Sequence, residues 1–199
     1  MNRLRMRVLF LCIPAALCVA LAGCQNLLVS GDAGGGAAAS GGSVPSSGSV
    51  QYYFPRDGQA PAPVLISLMN SAKSTLDVAI YSFTDSDISD AVIAAKERGV
   101  AVRVITDSVS ASNATQKKVL AALVAAGIPV KENKHSGLMH LKVTIVDGTV
   151  CTTGSFNYTK QAEKSNDEVF VVMYDATAAK DFDAQFQRMW DDTKGFVDY

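Results

Sequence analysis

The stretch HLKVTIVDGTVCTTGSFN, residues 140–157, contains the most informative pattern in the sequence. Asp147-Gly148 lies at its centre, and this dipeptide between two runs of branched residues is typical of a β-hairpin turn. In an extended strand, successive side chains point to opposite faces of the sheet. His140 and Lys142 therefore share one face of the first predicted strand, and the apolar residues that alternate with them face the core.

The polar groups of this hairpin suit a phosphate ligand. An imidazole can attack or protonate a phosphate ester, and a neighbouring ammonium can hold the negative charge. Ser155 and Asn157 lie two residues apart behind Gly154, where short side chains can donate hydrogen bonds to phosphate oxygens. A single histidine on a half-exposed strand is more often structural than catalytic, so spacing alone leaves both interpretations open.

Strand and helix signals alternate on both sides of the hairpin. Helical segments show apolar residues at helical spacing, and the segments between them are rich in branched residues. Such alternation with short connections predicts an α/β fold with right-handed crossovers. The predicted helices are 62–73, 85–99, 113–127 and 175–190, and the predicted strands are 75–83, 100–106, 128–130, the hairpin and 167–174.

The first residues indicate an export signal rather than part of the fold. Three arginines precede an apolar run that is shorter than the roughly 20 residues of a membrane span. The sequence LAGC at residues 21–24 resembles the bacterial lipobox, which implies a signal peptide over residues 1–23 and lipid on Cys24. The alternative is an ordinary signal peptide with a chance cysteine.

The lipobox implies an exported, membrane-anchored lipoprotein on the periplasmic side or the cell surface. Gln25 is not the aspartate associated with inner-membrane retention, which favours the outer membrane in a Gram-negative host. Residues 24–49 are rich in glycine, alanine and serine and predict a flexible linker after the lipidated cysteine. The remaining residues, 50–199, suit a single domain.

Charge and cysteine content restrict the partners of this domain. Loss of three arginines with the signal leaves 15 basic against 19 acidic residues, a net charge of −4. Nucleic acid or anionic lipid would therefore have to meet a local basic patch rather than a global field. Of the four cysteines only Cys151 would stay in the domain as a free thiol, so we expect no disulfide there.

Taken as a whole, the hairpin carries the pattern His-x-Lys, an aspartate, and Gly-Ser-x-Asn. This pattern resembles the His-Lys-Asp signature of the phospholipase D superfamily, and the chain is most similar to its small, single-motif bacterial nuclease branch. The likeness extends upstream to YSFTDSDISDAVIAAKERGVAVRVITD and downstream to NYTKQAEKSNDEVFVV. It covers most of residues 64–190 and implies a mixed β-sheet flanked by helices on both faces.

The resemblance also implies roles for individual residues. His140 would be the nucleophile that attacks a phosphodiester and forms a phosphohistidine. Lys142 and Asn157 would bind the non-bridging phosphate oxygens, and Ser155 would support them. Glu168 matches the downstream acid of the family, which hydrogen-bonds the imidazole and stabilises its charged form.

Asp147 completes the signature, but we assign it to the hairpin turn. It lies several residues from His140 and would repel an anion. We expect no metal or other cofactor, because two lysines facing one phosphate could each supply about 4 kcal/mol at 4 Å and an effective dielectric constant near 20. The acidic, cysteine and histidine residues also lack the spacing of metal ligands.

The number of histidines bears on the architecture of the site. Cleavage through a covalent intermediate needs a nucleophile and a separate acid for the leaving oxygen, and the family uses one histidine for each. This sequence has only His135 and His140. The resemblance implies a homodimer with the active site at the two-fold axis, and the alternative is that His135 of the same chain is the acid.

The sequence leaves three hypotheses about the substrate. The first is a metal-independent phosphodiesterase that acts as an endonuclease on DNA or RNA. A basic groove for the nucleic acid would be formed beside Lys142 by Lys131, Lys134 and His135, and it could be widened by Lys117 and Lys118. The first alternative is a phospholipase D on membrane phospholipids. An acyl slot for it could be lined by Phe83, Leu138, Met139 and Phe156. The second alternative is a lipoprotein that binds phosphate or nucleic acid without turnover.

Overall fold

The computed structural model describes residues 46–199, so the predicted signal peptide, Cys24 and most of the predicted linker lie outside the described residues. Eight strands form the sheet: β1 (Ser49–Tyr53), β2 (Thr75–Ile80), β3 (Ala101–Thr106), β4 (Val130–Asn133), β5 (Lys142–Val146), β6 (Val150–Gly154), β7 (Phe170–Tyr174) and β8 (Phe196–Asp198). The helices are α1 (Pro61–Ser71), α2 (Ser86–Glu97), α3 (Ser108–Ala111), α4 (Ala114–Ala125), α5 (Lys160–Lys164) and α6 (Ala176–Asp191), with a 3₁₀ turn at Pro55–Asp57.

The strands form one mixed sheet in the order β1-β7-β6-β5-β2-β3-β4-β8. β2, β3 and β4 are parallel, and every other pair of neighbours is antiparallel. Helices cover both faces, which confirms the predicted α/β class. The hairpin β5–β6 lies in the middle of the sheet, where β5 pairs with β2.

Side-chain caps explain where the long helices begin. The side chains of Asp85, Asn113 and Asp175 each accept hydrogen bonds from backbone N–H groups of the first turn of α2, α4 and α6. Such a cap satisfies donors that have no partner within the helix. Predicted and observed helix starts therefore agree to within one residue for these three helices.

Two apolar clusters hold the helices to the sheet. On one face α1, α2 and α4 pack residues such as Leu65, Val92 and Leu120 against the sheet. On the other face α6 alone supplies the cover, through Phe186 and Met189 among others. The alternation predicted for the hairpin is confirmed on this second face, because the odd-numbered residues of β5 belong to the α6 cluster.

Several boundaries differ from the prediction. The two edge strands β1 and β8 were not predicted, and each is short and held by a single neighbouring strand. β1 begins at Ser49, the last residue of the predicted linker. The first hairpin strand begins at Lys142, so His140 lies on the segment that leads into β5 rather than on the strand.

Within residues 46–199, no helix has the length and apolar character that a membrane crossing would require.

Candidate active site

The hairpin turn is built by Asp147, which has a left-handed backbone conformation with φ of 51°. Its carboxylate accepts hydrogen bonds from the backbone N–H groups of Ser74 and Thr75 at 2.8 and 2.9 Å, and from that of Lys73 at 3.0 Å. This contact ties the turn to the start of β2. Asp147 follows the last residue of β5 and His140 precedes the first, so the two lie at opposite ends of that strand.

The other residues of the signature meet at the opposite end of the hairpin. A central cavity of about 370 Å³ is lined by His140, Lys142, Gly154, Ser155, Asn157 and Glu168. All five side chains predicted to handle phosphate therefore border one space, although they come from three separate segments of the chain.

His140 and Lys142 are in direct polar contact in this cavity. The ammonium nitrogen of Lys142 lies 3.0 Å from Nδ1 and 3.1 Å from Nε2 of His140, and it donates to the backbone oxygen of His140 at 2.9 Å. His140 is exposed, whereas Lys142 is only 6% exposed. Burial lowers the pKa of Lys142, and the Glu168 carboxylate opposes that shift in part.

Tyr81 is a residue of this site that the sequence prediction missed. It follows the last residue of β2, and its ring lies 4.5 Å from the His140 ring between centroids. The ammonium of Lys142 lies 4.9 Å from the centroid of the same ring, within the range of a cation–π interaction. An aromatic residue directly after a parallel strand was the available signal, because ligand sites form at the carboxyl ends of such strands.

Gly154 allows β6 and β7 to approach each other at the cavity. Its φ is 133°, and a Cβ atom at this position would lie 2.1 Å from the backbone oxygen of Val169. Only glycine fits such a contact. The close approach brings Ser155, directly after β6, next to Glu168, which lies just before β7.

Glu168 has hydrogen-bond partners other than the imidazole. Its carboxylate accepts from the Ser155 hydroxyl and from Asn166 Nδ2, the latter at 2.9 Å. The Ser155 hydroxyl in turn accepts from the backbone N–H of Val169 at 3.1 Å. The predicted contact between Glu168 and the His140 ring is absent from the hydrogen bonds of residues 46–199, although both side chains border the central cavity.

Asn157 is oriented by the loop after β2. The backbone N–H of Ser82 donates to Asn157 Oδ1 at 3.3 Å. Because an amide side chain has one oxygen acceptor and two N–H donors, this contact leaves the donor end of Asn157 for a ligand. The cavity thus combines the Lys142 ammonium and the His140 imidazole with the Asn157 amide, groups that suit a phosphate, while the Glu168 carboxylate is hydrogen-bonded to Ser155 and Asn166.

Two further cavities adjoin the central one. The polar cavity, of about 600 Å³, shares Asn157 with it and is lined by Tyr81, Ser82 and Thr84 after β2, by Asn113 and Thr115 at the start of α4, and by five polar residues between Asn157 and Asn166. The apolar cavity, of about 410 Å³, shares His140 and lies between the segment before β5 and the carboxyl end of α6. Its wall includes Leu138, Leu141 and Met189, for which we name it the apolar cavity, and it also contains the polar side chains of Gln185, Arg188 and Asp192.

His135 lines the apolar cavity together with His140. Its ring packs edge-on against Phe196 at 5.3 Å between centroids, and Nδ1 lies 2.9 Å from the backbone oxygen of Ser136. The two histidines of the chain therefore border one space, but His135 is held at its outer rim by contacts of its own.

Other candidates from the sequence lie elsewhere. Lys131 donates to the backbone oxygen of Trp190 at 2.7 Å and lies over its ring, so its ammonium is directed to α6. Phe83 and Phe156, considered for an acyl slot, are fully buried in the core. Cys151 is also buried, and burial with the nearby Asp175 carboxylate raises the pKa of its thiol to about 11.

In the part of the chain that the structure describes, no three histidine, cysteine, aspartate or glutamate side chains lie close enough together to form a metal site.

The comparison with protein families identifies this arrangement. The model of the family described as "Cardiolipin synthase, PLD-like domain" matches residues 65–190, which is more than half of the chain. The chain belongs to the phospholipase D-like family. The matched residues of this phospholipase D-like chain include every residue that lines the central cavity.

Known relatives of the phospholipase D-like chain agree with this assignment. A mitochondrial cardiolipin hydrolase from Chlamydomonas reinhardtii is 37% identical over 126 residues, which are 63% of this chain and 56% of that protein. The chain therefore spans little more than half the length of this curated relative.

Two solved structures are similar over most of their own length. Nuc from Salmonella typhimurium, a phospholipase D family member, is 34% identical with a TM-score of 0.71, covering 76% of this chain and 97% of Nuc. NucT from Helicobacter pylori is 27% identical with a TM-score of 0.66, covering 76% of this chain and 99% of NucT. The phospholipase D-like fold of this chain is thus the fold of Nuc.

Proposed function

We propose that the protein is a metal-independent phosphodiesterase that cleaves nucleic acid as an endonuclease, with His140 as the nucleophile. The observation that carries this proposal is the contact of 3.0 Å between the exposed His140 ring and the buried Lys142 ammonium. An exposed imidazole can reach a phosphorus atom, and a buried cation beside it acts on the phosphate with little screening by solvent.

The reaction would proceed in two displacements. A ring nitrogen of His140 attacks the phosphorus, a P–N bond forms, and the bond between phosphorus and the leaving oxygen breaks. A general acid gives that oxygen its proton. Water then attacks the phosphohistidine and gives a proton to the deprotonated general acid, the P–N bond breaks, and both the imidazole and the acid are restored.

Lys142 and Asn157 would hold the non-bridging oxygens during both steps, and Ser155 with Glu168 would fix the rim of the cavity. A cation 4 Å from the phosphate contributes about 4 kcal/mol at an effective dielectric constant near 20. This electrostatic contribution can stand in for that of a divalent ion, because charge that develops in the transition state meets a fixed positive group.

The general acid would come from a second copy of the chain. A two-fold axis at the mouth of the central cavity would set two His140 rings on either side of one phosphate. The alternative acid is His135, which borders the same apolar cavity as His140 but packs against Phe196. Co-assembly of the wild type with inactive His140→Ala in varied ratios separates the two, because the two-histidine site needs both His140 residues and activity would then fall more steeply than the wild-type fraction. Activity proportional to the wild-type fraction would argue for His135.

We further propose that the enzyme is an exported lipoprotein. The basic start and the LAGC sequence support a signal peptide over residues 1–23 and lipidation of Cys24. The Gly/Ala/Ser-rich residues up to the start of β1 would tether the domain to the membrane, in the outer membrane if the host is Gram-negative. Labelling with a radioactive fatty acid, which a Cys24→Ala variant should lose, tests this proposal.

Nucleic acid is the favoured substrate for two reasons. The chain resembles the small single-motif nuclease branch also in its extent, because it covers nearly all of Nuc and NucT but little more than half of the cardiolipin hydrolase. The polar cavity beside the catalytic pair is also lined by hydrogen-bonding side chains alone, which suits a sugar-phosphate chain better than an acyl chain.

Phospholipid hydrolysis is the second candidate. The name of the curated relative and the apolar cavity that begins at His140 support it. A binding protein without turnover is the third candidate, although all the residues of the signature are present and His140 is accessible.

The test is cleavage by the purified protein in excess EDTA, with His140→Ala as control. Plasmid DNA, single-stranded DNA, RNA and cardiolipin vesicles would be compared. We expect cleavage of nucleic acid that survives EDTA and disappears in the control. Cleavage of vesicles alone would favour the phospholipid candidate. If none of the four substrates is cleaved, the binding protein without turnover would be favoured. Dependence on added metal would contradict the mechanism.

A further inference from the structure

The polar cavity is lined by hydrogen-bonding side chains, whereas most small-molecule sites are lined mainly by apolar ones. It lies beyond the carboxyl ends of the parallel strands β2 and β3, and each residue that lines it carries a hydroxyl, amide or ammonium group. Its volume of about 600 Å³ is within the range of small-molecule binding sites. Among residues 46–199, no purely apolar side chain lines it, which argues against an acyl chain as its occupant.

Part of the cavity wall is fixed and part is free to bind. Asn157 and Asn166 are held by Ser82 and Glu168, and Lys160 is held between Asp85 and Asp87. Five other lining residues have side chains without a hydrogen-bond partner among residues 46–199, and these are Tyr81, Ser82, Thr84, Thr115 and Gln161. A rigid wall with unused donors and acceptors fits a ligand with many hydroxyl or phosphate oxygens.

The polar cavity is continuous with the catalytic pair. Asn157 borders both it and the central cavity, and the Tyr81 ring contacts His140 at 4.5 Å between centroids. A chain whose scissile phosphate lies at His140 would therefore have room for its next unit in the polar cavity.

We infer that the polar cavity binds the sugar and phosphate of the nucleotide next to the scissile phosphate. This inference rests on the proposed nuclease function and identifies where the substrate strand continues. Thr115 and Gln161 are the side chains that would donate or accept hydrogen bonds to this nucleotide, because both are exposed and unpaired within residues 46–199.

The chain offers a closely matched control. Thr115 and Thr177 are each the second residue of a helix, and the backbone N–H of each donates to the side chain of its capping residue at 2.9 and 2.7 Å. β7 begins at Phe170, which pairs with Gly154 at the central cavity, and it ends at Tyr174. Thr177 follows that far end of β7 and therefore lies away from Gly154. Thr115→Val and Thr177→Val should therefore affect stability equally, and only the first should affect substrate binding.

The experiment measures kcat and KM of the full-length protein and of Thr115→Val, Gln161→Leu and Thr177→Val. One substrate is a labelled single-stranded DNA 20-mer, and the other is bis(4-nitrophenyl) phosphate, which has no second nucleotide. We expect KM for the 20-mer to rise about threefold to tenfold in Thr115→Val and Gln161→Leu, the scale of one lost neutral hydrogen bond. Hydrolysis of the small diester should stay unchanged, and Thr177→Val should match the wild type on both substrates.

The outcomes separate this inference from the proposed function. Wild-type protein that cleaves the 20-mer, with an unchanged KM in both cavity variants, overturns the inference and leaves the nuclease function standing. Equal losses on the 20-mer and the small diester also overturn it, because they place the effect on the catalytic pair. Wild-type protein that cleaves no nucleic acid overturns the proposed function and the inference together.

Discussion

The buried ammonium of Lys142 lies within 3.1 Å of both ring nitrogens of His140. An ammonium group only donates hydrogen bonds, so a ring nitrogen can accept from it only where that nitrogen carries a lone pair. An acceptor nitrogen is also the form in which imidazole acts as a nucleophile. In the proposed mechanism the contact would therefore combine charge stabilisation and orientation of the nucleophile in one pair of residues two positions apart in the sequence.

The pH dependence of catalysis should report the burial of Lys142. Burial lowers its pKa from 10.5, only partly opposed by Glu168, so we expect kcat/KM to fall with rising pH at a value below 10.5. In the same pH range Lys142 stays protonated to a higher pH in the unfolded chain than in the native protein. The free energy of unfolding should therefore rise slightly with pH while kcat/KM falls. A pH–rate profile beside urea unfolding at each pH measures both trends.

Lys142→Arg is the control for this assignment, because a guanidinium stays charged throughout the range. The variant should be slower, since the planar group does not reproduce the contact with His140, but it should lack the alkaline fall in rate. An identical alkaline limb in Lys142→Arg would assign the titration to another group.

Asp147 should prove structural rather than catalytic. Burial alone would raise its pKa, but hydrogen bonds from Thr75, Ser74 and Lys73 outweigh burial and lower it below 3.8. Asp147→Asn keeps the left-handed turn and removes the charge, and we expect a loss of about 1–3 kcal/mol in the free energy of unfolding. In the wild type this contribution is complete above pH 3.8 and disappears as the pH falls through the lowered pKa.

Urea unfolding of the wild type and Asp147→Asn between pH 2 and pH 7 tests this expectation, with kcat at 25 °C as the companion measurement. The folded variant should retain its kcat. A large loss of kcat without a loss of stability would indicate that Asp147 has a catalytic role at the phosphate.

Much of the fold follows from local patterns in the sequence. Capping residues such as Asp85 and Asn113, the glycines after α2 and α4, and the alternation in the hairpin fix the central strands and the long helices. The edge strands escaped prediction because they are short and are held by pairing with a single strand that is distant in sequence. Ser49, for example, pairs with Tyr174.

The site was predictable in its members but less so in its contacts. The signature motif identifies His140, Lys142, Ser155 and Asn157, since these residues are close in sequence and lie on one hairpin. The neighbours of Glu168 depend on how closely β7 approaches β6, which no local pattern encodes. Tyr81 was not predicted for the same reason, because only the pairing of β2 with β5 brings it next to His140 and Lys142.

Gly154 should be intolerant of any side chain. A Cβ atom 2.1 Å from the Val169 oxygen requires the two strands to separate, and we expect Gly154→Ala to cost about 3 kcal/mol or more. Gly99 also has a positive φ, of 87°, but a Cβ atom there meets nothing within 4 Å. Gly99→Ala should therefore cost only about 1–2 kcal/mol, the penalty of the left-handed conformation alone. Thermal unfolding of both variants makes the comparison, and equal losses would contradict the close contact.

The Tyr81 ring should position the catalytic pair through its face rather than its hydroxyl. Tyr81→Phe keeps the ring contacts with His140 and Lys142, whereas Tyr81→Leu removes them. A cation–π contact of about 0.5–2 kcal/mol predicts a fall in kcat of roughly 2- to 30-fold on bis(4-nitrophenyl) phosphate in Tyr81→Leu, and a near wild-type kcat in Tyr81→Phe. The matched control is Tyr52→Leu, at a tyrosine on β1 that is 57% exposed, and this variant should keep the wild-type kcat. Equal losses in Tyr81→Phe and Tyr81→Leu would move the role of Tyr81 to its hydroxyl group.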